Sequence, residues 1–201
     1  DEGLKQNYKK FTLMLKKSLS FLSDEEVAKG LQSAAMLASS KGIGSFNSWE
    51  LERGLLSIAQ KNSCDNASCD VEKDSFLHVF TAAYGTGGHT RVCERWIENS
   101  ANHEKHSVVL IDQGEEVVPD KIKLVTRKKN GKTIFLKSNT LIDKAMELRS
   151  IASSYDKIIL YVHMHDVVPV IAFGSKEFKR PVIFFNHADH IFWIGVSISD
   201  I

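Results

Sequence analysis

Apolar residues recur at three- and four-residue steps through the first sixty positions. Leu4, Tyr8, Phe11, Leu15, Leu19 and Leu22 make one such stripe, which is the period of an amphipathic helix. Ser23 with Glu26 three residues on forms a capping box. It opens a second helix with the apolar face Val27, Leu31, Ala34 and Ala38, ended by Lys41-Gly42. A third helix begins near Ser48 and buries Leu51, Leu55 and Ile58. Residues 1–62 therefore read as a small helical bundle with short connections. This segment has no histidine and spreads its acidic residues along polar faces, so packing or docking is its expected role.

Small and polar residues interrupt that period in NSCDNASCDVEKD, placing a linker at 63–74. Beyond it the pattern changes to short apolar runs. FLHVFTAA (76–83), HSVVLID (106–112), KIILYVHMH (157–165) and PVIFFNH (181–187) read as buried strands. Helical stretches lie between them: from Thr90 onward, from Thr140 onward, and over VVPVIAFG. IKLVT (122–126) and TIFLKS (133–138) flank the Asn-Gly of RKKNGK and read as a β-hairpin. VSISDI (196–201) reads as the start of a further strand. Strands alternating with helices predict right-handed crossovers, hence a doubly wound, mostly parallel α/β sheet over 75–201, preceded by the small α-helical bundle.

Composition acts mainly by exclusion. The 201 residues are 43% hydrophobic and 25% charged, an ordinary globular balance, and the formal charge of +1 offers no argument for nucleic acid as a partner. No run approaches the roughly 20 apolar residues of a membrane span, and the first ten residues do not resemble a secretory leader; a cytoplasmic location is expected. A start without methionine and an end inside a β-branched run fit a piece of a longer protein, truncated at its C-terminus. Cys64, Cys69 and Cys93 are too few for a disulfide framework. Cys64 and Cys69 fall short of the about four ligands of a closed zinc site, so no metal is expected.

Ligands of open α/β sheets bind beyond the carboxyl ends of the strands. That rule selects YGTGGHTR (84–91), HMHD (163–166) and NHADH (186–190), which hold five of the eight histidines: His89, His163, His165, His187 and His190. In the first loop, Gly85, Gly87 and Gly88 around Thr86 permit positive φ and close backbone approach, at the start of a helix suited to anions. His89 and Arg91 fall on that helix's first turn. An imidazole there can take a proton from a hydroxyl, and Arg91 either holds a phosphate or carboxylate or decorates the surface. The glycine spacing is neither the dinucleotide fingerprint nor a Walker loop. In the second loop, His163 and His165 point to one face if the strand continues; His163 is expected within the sheet end, with His165 and Asp166 facing the crevice. In the third, Asn186, His187, Asp189 and His190 suit sugar hydroxyls or proton transfer. Alternatively, Asp189 caps a helix over IFWIG while His187 bonds backbone.

A strand ending in TGGHTRV and running into a helix, followed by strand ends YVHMHD and FFNHADH, resembles the amino-terminal Rossmann-like domain of GT-B glycosyltransferases. The later two are similar to strand ends of the large retaining family that includes many lipopolysaccharide and capsule transferases. The resemblance covers roughly residues 75–201. It implies that this domain holds a carbohydrate, lipid-linked or protein acceptor, that a missing C-terminal Rossmann-like domain holds the nucleotide-sugar donor, and that no further cofactor takes part. It also implies a hexosyl- or N-acetylhexosaminyl-type transferase of polysaccharide biosynthesis, inactive as this piece alone. Such a protein is cytoplasmic or peripheral at the inner face of the membrane, and its helical segment docks a partner or the missing domain.

Position by position, Gly87 and Gly88 match the glycine pair whose backbone approaches the donor phosphate or the acceptor. His89 matches the histidine after those glycines in the inverting peptidoglycan N-acetylglucosaminyltransferases, and His165 matches the strand-end histidine of the retaining enzymes. Those two matches imply opposite stereochemistry. The catalytic residues implied are His89, His165 and His187; the substrate-binding ones are Thr86, Gly87, Gly88, Arg91, Asp166, Asn186, Asp189 and His190. Two other readings fit the same residues: a non-catalytic Rossmann-like binding or scaffolding module, and a sugar-nucleotide epimerase or hydrolase of GT-B architecture.

Overall fold

The computed structural model describes residues 2–63, 70–186, 188 and 190–200. The expectations for Cys64, Cys69, His187 and Asp189 lie outside the described residues. Five parallel strands, β1 (Glu72–Phe80), β2 (Lys105–Leu110), β3 (Thr133–Phe135), β4 (Tyr155–Tyr161) and β5 (Val182–Phe184), form one sheet in the order β3-β2-β1-β4-β5. The chain builds outward from β1 to β3, then returns to lay β4 on the other side of β1. This is a Rossmann-like α/β arrangement, with its topological switch between β1 and β4.

Period-two alternation sorts the strand residues between two faces. Phe76, His78 and Phe80 of β1 face one side, packed with Cys93 and Ile97 of α4 (Gly88–Asn99) and Ile122 and Val125 of α5 (Asp120–Lys128). Leu77 and Val79 face the other, packed with α6 (Leu141–Ala152) and α7 (Val167–Phe173). The same second core takes in α1 (Glu2–Leu19), α2 (Asp24–Lys41) and α3 (Trp49–Lys61). Ser23 caps α2 by accepting the Glu26 N–H and donating to its carboxylate, and Gly42 closes it at φ +69°. Of the apolar stripe on the first helix, only Phe11 and Leu15 are buried; Leu4, Tyr8 and Leu19 remain exposed.

Three expected elements differ. IKLVT is part of helix α5, because Ile122, Val125 and Thr126 are buried while Leu124 is half exposed, a three- and four-step pattern that a five-residue window disguises as a strand. The Asn-Gly therefore makes no hairpin, and β3 pairs parallel with β2 as a crossover strand. Asn130 takes φ +55° after the helix, and Gly131 runs so close to β2 that a Cβ would stand 1.7 Å from the His106 carbonyl oxygen. VSISDI makes a turn of 3-10 helix at Val196–Ile198, not a strand. The buried Glu52 carboxylate explains that turn, accepting N–H bonds from Gly195 (2.9 Å), Val196 (3.2 Å) and Ser197 (2.7 Å). IFWIG is not helical; its Trp193 and Ile194 N–H groups donate to Phe46 and Met164 carbonyls instead.

Polar ties join the helical segment to the layer over the sheet. Glu25 of α2 accepts from the Leu141 and Ile142 N–H groups at the start of α6, both at 3.1 Å. In return Arg149 of α6, buried at 4% exposure, donates to carbonyls at two helix ends: Ala59 (3.3 Å) and Asn62 (3.1 Å) at α3, Ile171 (2.9 Å) and Ala172 (2.6 Å) at α7. A guanidinium suits that task, since its planar fork offers five donors and its charge opposes the negative helix ends. Arg149→Met keeps the stem but strands several carbonyls, so it is expected to lower stability by about 3 kcal/mol or more, read from urea unfolding. Arg149→Lys, with a single ammonium, should recover only part of that loss.

Candidate functional site

At the end of β1 the loop is held from below. Gln113 accepts from the Ala83 N–H and donates to the Ala83 carbonyl, both at 2.9 Å. Thr90 accepts the Tyr84 N–H at 3.2 Å from the first turn of α4. The Gly85-Thr86-Gly87-Gly88 stretch thus projects from a fixed base. None of its glycines takes the positive φ that the sequence suggested, and at Gly85 and Gly88 a Cβ would meet nothing within 4 Å. Glycine leaves bare backbone there, at the start of a helix that Gly87 does not cap with a side chain. His89 is half-buried in that first turn, its ring 5.8 Å from Phe80 and edge-on to Tyr84 at 6.3 Å. Thr86 and Arg91 are exposed.

Beside it, β4 stops at Tyr161, so His163 and His165 lie on the following loop instead of the strand. The Asp166 carboxylate organises that loop. It caps α7 by accepting the Val168 N–H at 3.0 Å and takes the Thr81 hydroxyl at 2.5 Å, while Thr81 accepts the His163 N–H at 2.9 Å. Asp166 is buried, which pushes its carboxyl above the ordinary range against the pull of the Thr81 bond. Its position joins the ends of β1 and β4, the two strands at the switch. The His163 ring lies parallel to Tyr84 at 6.0 Å and is followed by His165 at 5.9 Å. His89, Tyr84, His163 and His165 therefore form a row of rings across the switch. Burial lowers the pKa of His165, keeping its imidazole neutral and able both to donate and to accept.

The third loop is placed differently. Asn186 is exposed and accepts the Ala188 N–H at 3.1 Å in a local turn. His190 lines a separate hollow of about 390 Å³ with Leu4, Ile43, Phe46 and Phe192, at the end of the helical segment. Among the described residues no group of three His, Cys, Asp or Glu side chains could hold a metal ion, and no helix is long and apolar enough to cross a membrane.

Sequence reading overlooked a second histidine cluster under α4 and α5. His78 Nε2 lies 2.9 Å from His106 Nδ1, with Glu104 3.4 Å from the far nitrogen of His106. Both rings are fully buried, stacked among Phe76 and Tyr161, with Trp96 edge-on. Burial lowers both pKa values, helped at His78 by His106 and opposed at His106 by Glu104. One ring must donate and the other accept, so the pair is satisfied only when at least one is neutral.

Compared with protein-family models, curated proteins and solved structures, the chain matches none of them. The site is therefore read from its own geometry. Because the unfolded chain binds protons near pH 6.5 while the folded pair resists them, the pair's stabilisation is intact above that pH and is lost as pH falls below it. Urea midpoints are expected to drop between about pH 7.5 and about pH 5. Replacing both rings, His78→Phe with His106→Phe, should flatten that drop.

Proposed function

We propose that this chain is the acceptor-side part of a GT-B-type glycosyltransferase, transferring a sugar from a nucleotide-sugar donor to a glycan, lipid-linked or protein acceptor. The observation that carries the reading is the row His89, Tyr84, His163 and His165 across the β1/β4 switch, where open sheets bind their ligands. A row of half-exposed rings beside bare glycine backbone suits a sugar, whose hydroxyls need donors and acceptors and whose ring faces stack on flat surfaces.

In this reading an acceptor hydroxyl attacks the anomeric carbon as His89 takes its proton. The bond from that carbon to the nucleoside diphosphate breaks, and the diphosphate leaves with the electron pair. Arg91 and the uncapped start of α4 offset its charge. His165, neutral at the strand ends, positions sugar hydroxyls. The donor itself is held by a further domain, and the work is done in the cytoplasm or at the inner membrane face.

The test uses the whole protein that the reading frame encodes, incubated with labelled nucleotide hexoses and N-acetylhexosamines. Label is expected to move to an acceptor, and His89→Ala and His165→Ala should each lower turnover by about 10²-fold or more at unchanged melting temperature. Full turnover in both variants would remove these histidines from the site. Binding without any transfer by the wild type would support a non-catalytic carbohydrate-binding module instead.

A further inference from the structure

We infer that the helical segment supplies a wall of the ligand crevice, with Gln32 of α2 recognising a hydroxyl-bearing substituent of the ligand together with Lys144 and His165. A notch of about 50 Å³ opens beside the switch, lined by Gln32, Thr81, Asp112, Lys144, His165 and Asp166 among others. Of these, Thr81 and Asp166 are bonded to each other. The remaining groups keep hydrogen-bonding capacity.

Gln32 is the anomaly that points to a ligand. Its Oε1 is buried and has no hydrogen-bond partner among the described residues. A carboxamide turned the other way would bury an unpaired amino group in the same place, so either orientation leaves a polar atom waiting for a partner. Glu25 and Ser33 of the same helix, by contrast, are paired, Glu25 accepting from the start of α6 and Ser33 donating to the Lys29 carbonyl. Lys144 reaches the notch with only 15% of its side chain exposed and lies 3.1 Å from the Asp112 carboxylate, which uses one of its three N–H donors. His165 adds a neutral ring with one donor and one acceptor, and no hydrogen bond to either nitrogen occurs among the described residues.

The mixture selects the ligand chemistry. An anion would meet the Asp112 carboxylate, and a cation would meet the Lys144 ammonium. A neutral hydroxyl can donate to Gln32 Oε1 while accepting from Lys144 or His165. The volume holds a few non-hydrogen atoms, enough for a hydroxyl or hydroxymethyl group but too little for a sugar ring. The ring itself would lie outside the notch, against His163 and Tyr84. This inference rests on the carbohydrate reading of the crevice and extends it to the specificity of that site.

The experiment is a titration of the full chain, followed by amide and side-chain nitrogen–proton spectra. The probes are methyl α-D-glucopyranoside, methyl α-D-galactopyranoside and methyl N-acetyl-β-D-glucosaminide, with the monodeoxy analogues of whichever binds. The expected result is movement of the Gln32 side-chain amide signals together with the 84–91 loop. Gln32→Leu should weaken binding by about tenfold, and one deoxy analogue should lose about as much on the wild type yet nothing further on Gln32→Leu. Gln32→Ala serves as the second variant, and unchanged spectra elsewhere confirm that each is folded. Movement confined to 84–91, with affinity untouched by either variant, would overturn the role of Gln32 while leaving the carbohydrate reading standing. If no probe moves either region, the carbohydrate reading fails and this inference falls with it.

Discussion

The buried guanidinium of Arg149 fixes the geometry on which the crevice depends. It holds the carboxyl ends of α3 and α7 at once, and α7 is only seven residues long, about 10 Å at the helical rise. The other end of α7 is Asp166. A displacement at the guanidinium would therefore be carried along one short rigid rod to the loop bearing His163 and His165. Gly174 makes the arrangement possible at the guanidinium end, since a Cβ there would lie 2.5 Å from the Val170 carbonyl oxygen and 2.6 Å from Leu56 of α3. A larger residue would push apart the two helix ends that Arg149 has to reach together.

At the crevice end the same logic runs through hydroxyl and carboxylate. Thr81 is the first residue past β1, and its one hydroxyl both donates to Asp166 and accepts from the His163 backbone. That single side chain sets the spacing of the two strand ends at the switch. Asp166 is thereby engaged in structure through one bond on each oxygen, while it still lines the notch beside the switch. His89 and His165 stand at opposite ends of the ring row.

Much of this was legible from the chain and some was not, for identifiable reasons. Alternating short apolar runs and helical stretches led directly to the parallel sheet, and the rule that ligands meet strand ends picked out the loops at 84–91 and 163–166, which do adjoin. IKLVT resembles a strand because five residues sample barely more than one helical turn, and of the Asn-Gly after it only Asn130 takes the positive φ of a hairpin turn, here ending the helix. His78 and His106 were invisible because each sits inside an apolar run, and their pairing is made by strands 28 positions apart. In sequence, Arg149 has the pattern of any solvated charge on a helix. Nothing in local sequence distinguishes a cation facing water from one facing two helix ends. Of the two properties glycine offers at 85 and 88, positive φ is not used and open backbone is.

The helical segment follows from the same electrostatic reasoning. Its Glu25 meets the positive start of α6, its Glu52 meets three N–H groups around Val196, and the negative end of its α3 meets Arg149. Each contact pairs a charge on one side of the 63–74 stretch with unsatisfied backbone on the other. Without these partners, several buried N–H and C=O groups would lose their hydrogen bonds, at about 1–3 kcal/mol apiece. The register between the two parts is therefore set by directional polar contacts, whereas a slide of apolar surfaces alone would be tolerant of small shifts. A register fixed in that way is what allows a residue of α2 to be placed at the edge of a crevice built by β1 and β4. Gln32 occupies that place.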